Sequence, residues 1–199
     1  MFRKGREATA YPRPLPLDAD RLAVEAARRD PLRFETLYRK YVAQVYSFAL
    51  YETRAHHAAE DVTEQVFLRA LRGLPTFDDR GLDEGSTFRA WLFQICRNVI
   101  ANERRRERRH PQAPLDLAVD VPGTDDPAAA VATRDEAARA WHVIDGLSGD
   151  RRQALTLRFV DEMSAREIGE VMGRSEGAVR VLIHRALRSV ADELGGERQ

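Results

Sequence analysis

An all-α fold, two small helical domains joined by a flexible linker, is predicted by three observations. Apolar residues recur at three- and four-residue spacing in two blocks of the chain. No alternating run of useful length marks a strand. Between the blocks lies HPQAPLDLAVDVPGTDDPAAAVATR, rich in Pro, Ala and Asp and free of Phe, Tyr and Trp, which reads as extended chain. The expected boundaries are a tail over 1–19, a first domain over 20–109, an acidic linker over 110–133 and a second domain over 134–199.

The first block opens with a short helix from Asp20 to Arg29. Asp30 then caps a helix whose first position is Pro31, where the missing N–H costs nothing. Its apolar positions include Phe34, Leu37, Tyr38, Tyr41, Val45 and Phe48. A further helix is expected from about His56 to Arg72, with Ala59, Val62, Val66 and Ala70 as the buried stripe. Asp61, Glu64, Gln65, Leu68 and Arg72 line its other side, and an exposed leucine among polar residues hints at a protein-binding face. Gly73-Leu74-Pro75 stops that helix, and the acidic, glycine-bearing loop TFDDRGLDEGS follows.

The next helix runs from Phe88 to about Arg106, with Phe88, Leu92, Ile95 and Val99 toward the core. Gln94, Arg97, Asn98, Ala101 and Arg105 form a second stripe with Trp91 at its edge. Amide and guanidinium groups beside an aromatic ring are equipment for holding unstacked bases; a core tryptophan beside a solvated face fits the same residues.

The second block ends in SAREIGEVMGRSEGAVRVLIHRALRSVADEL. Ser164 and Glu167 form a capping box that starts a helix through Ile168, Val171 and Met172. Gly173 supplies the positive φ that ends it, and Ser175 caps the next helix. There Val179, Leu182, Ile183, Ala186, Leu187, Val190 and Leu194 share one face, opposite Arg180, His184, Arg185 and Arg188. Two short helices about a glycine turn, the second basic on its outer edge, suit a recognition helix in a DNA major groove.

Composition narrows the classes. Lys plus Arg equals Asp plus Glu, so the formal net charge is zero, yet the charge is segregated. Arg97, Arg104, Arg105, Arg106, Arg108 and Arg109 stand against only Glu103 and Glu107, while residues 111–133 hold Asp116, Asp120, Asp125 and Asp126 without a cation. No apolar run reaches the roughly 20 residues a membrane helix needs, and the N-terminus lacks a secretory apolar segment. The single Cys96 excludes an internal disulfide, fits a reducing cytoplasm and reads as a small buried residue.

Taken in order, these pieces resemble the extracytoplasmic-function (ECF) class of bacterial RNA polymerase sigma factors. FETLYRKYVAQVYSFAL is similar to the opening helix of the family's promoter-melting domain, and AEDVTEQVFLRALRGLPTF to its polymerase-docking helix. FRAWLFQICRNVIANERRRERR resembles the helix that reads the −10 element, and the helix-turn-helix resembles the −35 reader. Departures are Glu64-Gln65 where Gln then Glu is frequent, Asn102 for a frequent aspartate, and Val181-Leu182 for polar or basic residues.

The resemblance implies a sigma factor that binds core RNA polymerase and directs promoter recognition and transcription initiation, with no catalysis, cofactor or metal. Its implied sites are Asp61, Glu64, Gln65, Leu68 and Arg72 on the β′ coiled coil of polymerase. Trp91, Gln94, Arg97, Asn98, Ala101 and Arg105 fall on single-stranded −10 DNA, with the loop from Phe77 to Thr87 pocketing a flipped base. Ser175, Glu176, Arg180, Val181, His184, Arg185 and Arg188 fall on duplex −35 DNA. An anti-sigma factor is a candidate further partner, no membrane is involved, and the expected location is cytoplasmic.

Two other classes compete. A metal enzyme would build on His56, His57, Glu60 and Asp61, but nothing else in the sequence completes the site, and no nucleotide-binding loop or nucleophile elbow is present. A stand-alone helix-turn-helix regulator would use the same recognition helix, and it leaves the aromatic–amide helix without a role.

Overall fold

The computed structural model describes residues 18–79, 87–109, 142–144 and 146–196. The tail before Asp18, residues 80–86 of the acidic loop and the linker over 110–133 lie outside the described residues. Among those described, the secondary structure is helical throughout.

Helix α1 (Asp18–Arg29) lies along α2 (Phe34–Thr53), which follows the 3-10 turn Pro31–Arg33. Asp30 starts that turn by accepting from the Leu32 N–H at 3.1 Å, with Pro31 at its first position. The buried carboxyl of Asp20 meets Lys40 Nζ at 2.5 Å and accepts from the Tyr41 hydroxyl. Arg28 donates from Nε to the Leu74 carbonyl at 3.1 Å and from a terminal nitrogen to the Phe77 carbonyl, tying α1 to the chain beyond α3 (His56–Gly73). Helix α2 ends at Arg54, whose left-handed backbone (φ 60°) brings its N–H to the Leu50 carbonyl.

The α3 stripe of Ala59, Val62, Val66 and Ala70 is buried, as its spacing predicts. The α2 stripe is buried except Tyr38, which is 44% exposed. Tyr38 meets Phe67 edge-on at 4.8 Å on the rim of a groove between α2 and α3, so it borders the core rather than filling it.

After the 3-10 turn Leu74–Thr76, Asp79 reaches across the acidic loop to the start of α4 (Phe88–Arg109). Its carboxylate accepts from the Thr87 N–H at 2.8 Å and from the Thr87 hydroxyl at 3.0 Å. Helix α4 buries more than one stripe. Phe88, Leu92 and Val99 are in the core, but so are Ala90, Phe93, Cys96 and Ile100, whereas Ile95 is half-buried. The reason is that α4 is covered by α2 and α3 and also by the helix-turn-helix.

That second block consists of α5 (Gly149–Phe159), α6 (Ala165–Met172) and α7 (Glu176–Gly196), with residues 142–144 helical before them. The capping box is formed: Ser164 Oγ accepts from the Glu167 N–H, and the Glu167 carboxylate accepts from the Ser164 N–H at 2.8 Å. Gly173 adopts φ 65° at the end of α6. Gly169 is the second glycine the turn requires, because a Cβ there would stand 2.7 Å from the Arg174 carbonyl oxygen. On α7, Val179, Ala186 and Val190 are buried and Leu182, Ile183 and Leu194 half-buried. Leu187 departs from the expected apolar face: at the edge of the stripe, it is 44% exposed.

The two blocks do not stand apart. Ala154, Leu157, Met163, Ile168, Val171, Met172 and Val179 belong to the same buried cluster as Phe88, Leu92 and Phe93. A smaller cluster of Val143, Leu155, Ala186 and Val190 lies within the second block.

Candidate nucleic-acid and partner interfaces

Three exposed faces carry the candidate residues. On α7, Arg180, Val181, His184, Arg185 and Arg188 are all exposed, opposite the buried Val179, Ala186 and Val190. Ser175 accepts from the Ala178 N–H at 3.2 Å, and Glu176 in the first turn pairs with Arg180. Along this helix Arg180 and Arg188 stand about two turns apart, with His184 between them and Arg185 beside them. The arginine forks are suited to phosphate or guanine oxygens.

On α4, Gln94, Asn98, Ala101 and Arg105 are exposed and Trp91 is half-buried. Trp91 packs on Phe77 at 4.7 Å and Phe88 at 5.7 Å between ring centroids. Its indole also passes over Gly73, where a Cβ would lie 3.1 Å from Trp91 Cζ2. A pocket of about 730 Å³ opens here, lined by Gly73, Thr76, Phe77, Thr87, Trp91 and Gln94 among others. An aromatic wall fixed from behind, with an amide at its lip, can take a planar base. Arg105 donates to Asn102 at 2.8 Å. Arg97 is different. Its Nε donates to Gln153 Oε1 at 2.9 Å and its guanidinium lies 3.4 Å from Asp150, so it faces the second block rather than the solvated edge.

On α3, Asp61, Glu64, Leu68 and Arg72 are exposed, Leu68 by 43%. Gln65 is half-buried, donating to Glu103 at 3.4 Å and accepting from Arg69 at 3.3 Å. Beside Glu64 and Leu68 runs an apolar groove of about 640 Å³ lined by Phe34, Tyr38, Val42, Tyr46, Phe67 and Leu71. Sequence reasoning assigned Tyr38 to the core and so missed the groove. Its signal was Leu71, three residues beyond the exposed Leu68.

Sequence reasoning also missed a buried polar seam. Glu52, inaccessible to solvent, meets Arg104 at 2.7 Å, Arg152 at 3.6 Å and Gln153 at 3.2 Å. Asp161 is buried, and desolvation pushes its carboxyl up to about 8, with Arg89 pulling the other way. Burial raises the Cys96 thiol well above its usual range, which makes it a packing residue and not a nucleophile. His56 Nδ1 pairs with the Tyr46 hydroxyl at 2.6 Å, and no group of three metal-ligating side chains converges among the described residues.

The model of Sigma-70 region 2 matches residues 37–110, which span α2 to α4. The model of Sigma-70 region 4 matches residues 138–190, which contain the helix-turn-helix. ECF RNA polymerase sigma factor ShbA of Streptomyces griseus is 32% identical over 146 residues, 70% of this chain and 74% of the relative. The chain belongs to the ECF sigma factors. ECF sigma factor BldN of Streptomyces coelicolor is 33% identical over 159 residues, 79% of this chain, and the match spans 59% of that relative's length. Among solved structures, CnrH in complex with the cytosolic domain of CnrY superposes with a TM-score of 0.66 at 25% identity, covering 90% of this sigma factor and 99% of that chain. The sigma factor RpoE of Bartonella quintana, solved with the anti-sigma factor NepR, shares the fold at a TM-score of 0.60 and 20% identity, covering 81% and 96% of the two chains. Among the described residues, no helix is long and apolar enough to cross a membrane.

Proposed function

We propose that this sigma factor binds core RNA polymerase through α3, reads duplex −35 DNA with α7, and holds unpaired −10 DNA on the Trp91 edge of α4. The observation that carries the reading is the Trp91 pocket. An aromatic ring seated on Phe77, Phe88 and Gly73, with Gln94 at its mouth and Asn98 exposed one step along the helix, has the chemistry of a base-holding site.

The −35 set is Ser175, Glu176, Arg180, Val181, His184, Arg185 and Arg188, where a bidentate arginine–guanine pair contributes about 1–3 kcal/mol of discrimination. The −10 set is Trp91, Gln94, Arg97, Asn98, Ala101 and Arg105, where stacking contributes about 1–3 kcal/mol per base and offsets strand opening. The docking set is Asp61, Glu64, Gln65, Leu68 and Arg72. The domains run over 20–109 and 134–199, the linker of 110–133 spans the two promoter elements, and the protein works in the cytoplasm without catalysing a reaction. An anti-sigma factor as a further partner is supported by the complexes in which the CnrH and RpoE chains were solved.

Run-off transcription with core polymerase on genomic fragments tests the reading. Discrete transcripts that require both proteins are the expected result. Tight promoter binding by the chain alone, with no transcript from the mixture, contradicts it and points to a stand-alone regulator.

A further inference from the structure

We propose that Arg28 of α1 is a positioning residue for the base pocket: it holds Phe77, and through Phe77 the Trp91 ring, and so sets which base the pocket prefers at one position of the unpaired −10 strand. The inference rests on the proposed role of the Trp91 edge. It gives α1, which carries none of the residues assigned to DNA or polymerase, a part in promoter reading.

Helix α1 is fastened to α2 without Arg28. Val24 and Ala27 are buried, and the buried Asp20 carboxyl meets Lys40 and the Tyr41 hydroxyl. Arg28 reaches elsewhere, to the chain that leaves α3. Its Nε donates to the Leu74 carbonyl at 3.1 Å, and one terminal nitrogen donates to the Phe77 carbonyl. The other terminal nitrogen meets Glu25 at 2.9 Å, which fixes the plane of the fork. Carbonyls where a helical turn ends lack partners within it, and a planar guanidinium satisfies two of them in one fixed geometry, as a compact ammonium does not.

The Phe77 ring passes that anchoring to the pocket. Its centre lies 5.9 Å from the Arg28 guanidinium carbon, 4.7 Å from the centre of Trp91 and 5.8 Å from that of Phe88. The two supports of the indole, Gly73 and Phe77, thus flank in the chain the Leu74 carbonyl that Arg28 holds. Arg21, two turns before Arg28 on the same face of α1, lies 3.8 Å from Asp79. The Asp79 carboxylate in turn accepts from the Thr87 N–H and hydroxyl. Helix α1 therefore braces the pocket at Phe77 and at Thr87, both of which line it. Discrimination between planar bases needs walls held to within about 0.5 Å, and such bracing from behind is what holds them.

The test reads base preference with core polymerase and the full chain, on a promoter recovered by run-off transcription and rebuilt with each base at each −10 position. The rate of forming heparin-resistant complexes is measured on every version. Arg28→Gln should cut the preference at one position by about tenfold, equivalent to about 1.4 kcal/mol, with preferences elsewhere and core affinity at parental values. In a Trp141→Phe background, which leaves Trp91 as the sole tryptophan, Arg28→Gln should also raise acrylamide quenching of the fluorescence of the free chain. Asp79→Ala, which releases the Thr87 end alone, should weaken the same preference, and it decides the matter if circular dichroism shows Arg28→Gln unfolded. Combined with Trp91→Ala, neither change should add a further loss of preference.

Equal slowing on every version of the promoter, with the preference kept, overturns the proposal, because it marks Arg28 as a general support of the fold. Unchanged quenching overturns it too. So do losses that add to that of Trp91→Ala, since the effect then does not pass through the ring. Trp91→Ala alone separates this failure from a failure of the reading beneath it. If it erases the preference while Arg28→Gln and Asp79→Ala leave it intact, only the positioning is wrong. If it changes no preference, the assignment of α4 to −10 DNA falls.

Discussion

Gly169 and Asp161 show how much single side chains decide here. A methyl group at Gly169 would meet the Arg174 backbone carbonyl at 2.7 Å, and backbone cannot rotate away as a flexible side chain can. Gly169→Ala should therefore lower stability by about 1–3 kcal/mol, the usual cost of overpacking, read from urea melts. A loss below about 0.5 kcal/mol would mean that the turn adjusts freely. Gly173, with its positive φ, could be read from local sequence, whereas Gly169 could not, because its constraint comes from chain that returns after the turn. Asp161 carries a pH prediction. Its carboxyl is held up to about 8 by burial, against about 3.9 in an unfolded chain, with Arg89, Tyr51 and Cys96 as the titratable groups coupled to it. The packed state thus keeps a proton that the unfolded state gives up between those values. This contribution is fully present below about pH 4, declines as pH rises and levels off above about pH 8. Asp161→Asn should flatten that part of the stability profile, and a profile identical to the parent's would show that Asp161 does not titrate there.

At the scale of helices, the outward faces were more legible than the inward ones. The polar stripe of α3 and the basic arc of α7 follow from a 3.6-residue period, and Asp61, Glu64, Leu68, Arg180 and Arg185 are exposed as that period predicts. Periodicity misjudged α4, where Phe93 and Ile100 are buried beyond the expected stripe because the helix is covered on more than one side. It also placed Tyr38 and Leu187 inside, since a period assigns residues to a face without saying how far the neighbouring helix extends over them. Two predictions belong here. Arg180→Ala with Arg185→Ala should weaken duplex −35 binding by about 1–3 kcal/mol per lost bidentate contact while core polymerase binding stays intact, as promoter and core affinities measured in parallel will show. Unchanged promoter affinity would remove these residues from the DNA face. Asp61→Arg or Leu68→Arg should abolish capture by core polymerase with the circular dichroism spectrum unchanged, because neither side chain supports the Val62, Val66 and Ala70 core. Capture that survives both changes would put docking on another face.

For the whole molecule, the sequence conveyed two helical blocks but not their contact. Glu52 and Gln153 are far apart in the chain, and no local pattern marks Glu52 as a residue to be buried against Arg152. Arg97 shows the consequence: its stripe suggested a DNA contact, and nothing local foretold the Gln153 and Asp150 that it meets in the packed chain. The central claim, that the Trp91 edge of α4 holds unpaired −10 DNA, is tested most directly by permanganate footprinting of −10 thymines on a promoter recovered by run-off transcription. With core polymerase, Asn98→Ala should leave closed-complex binding nearly normal and reduce thymine reactivity, by about tenfold if the lost contact is worth about 1.4 kcal/mol. A promoter already mismatched at −10 should restore the variant to parental reactivity, because opening no longer has to be driven by protein contacts. Parental reactivity on the paired promoter, or failure of the mismatched one to rescue a folded variant, would contradict the account.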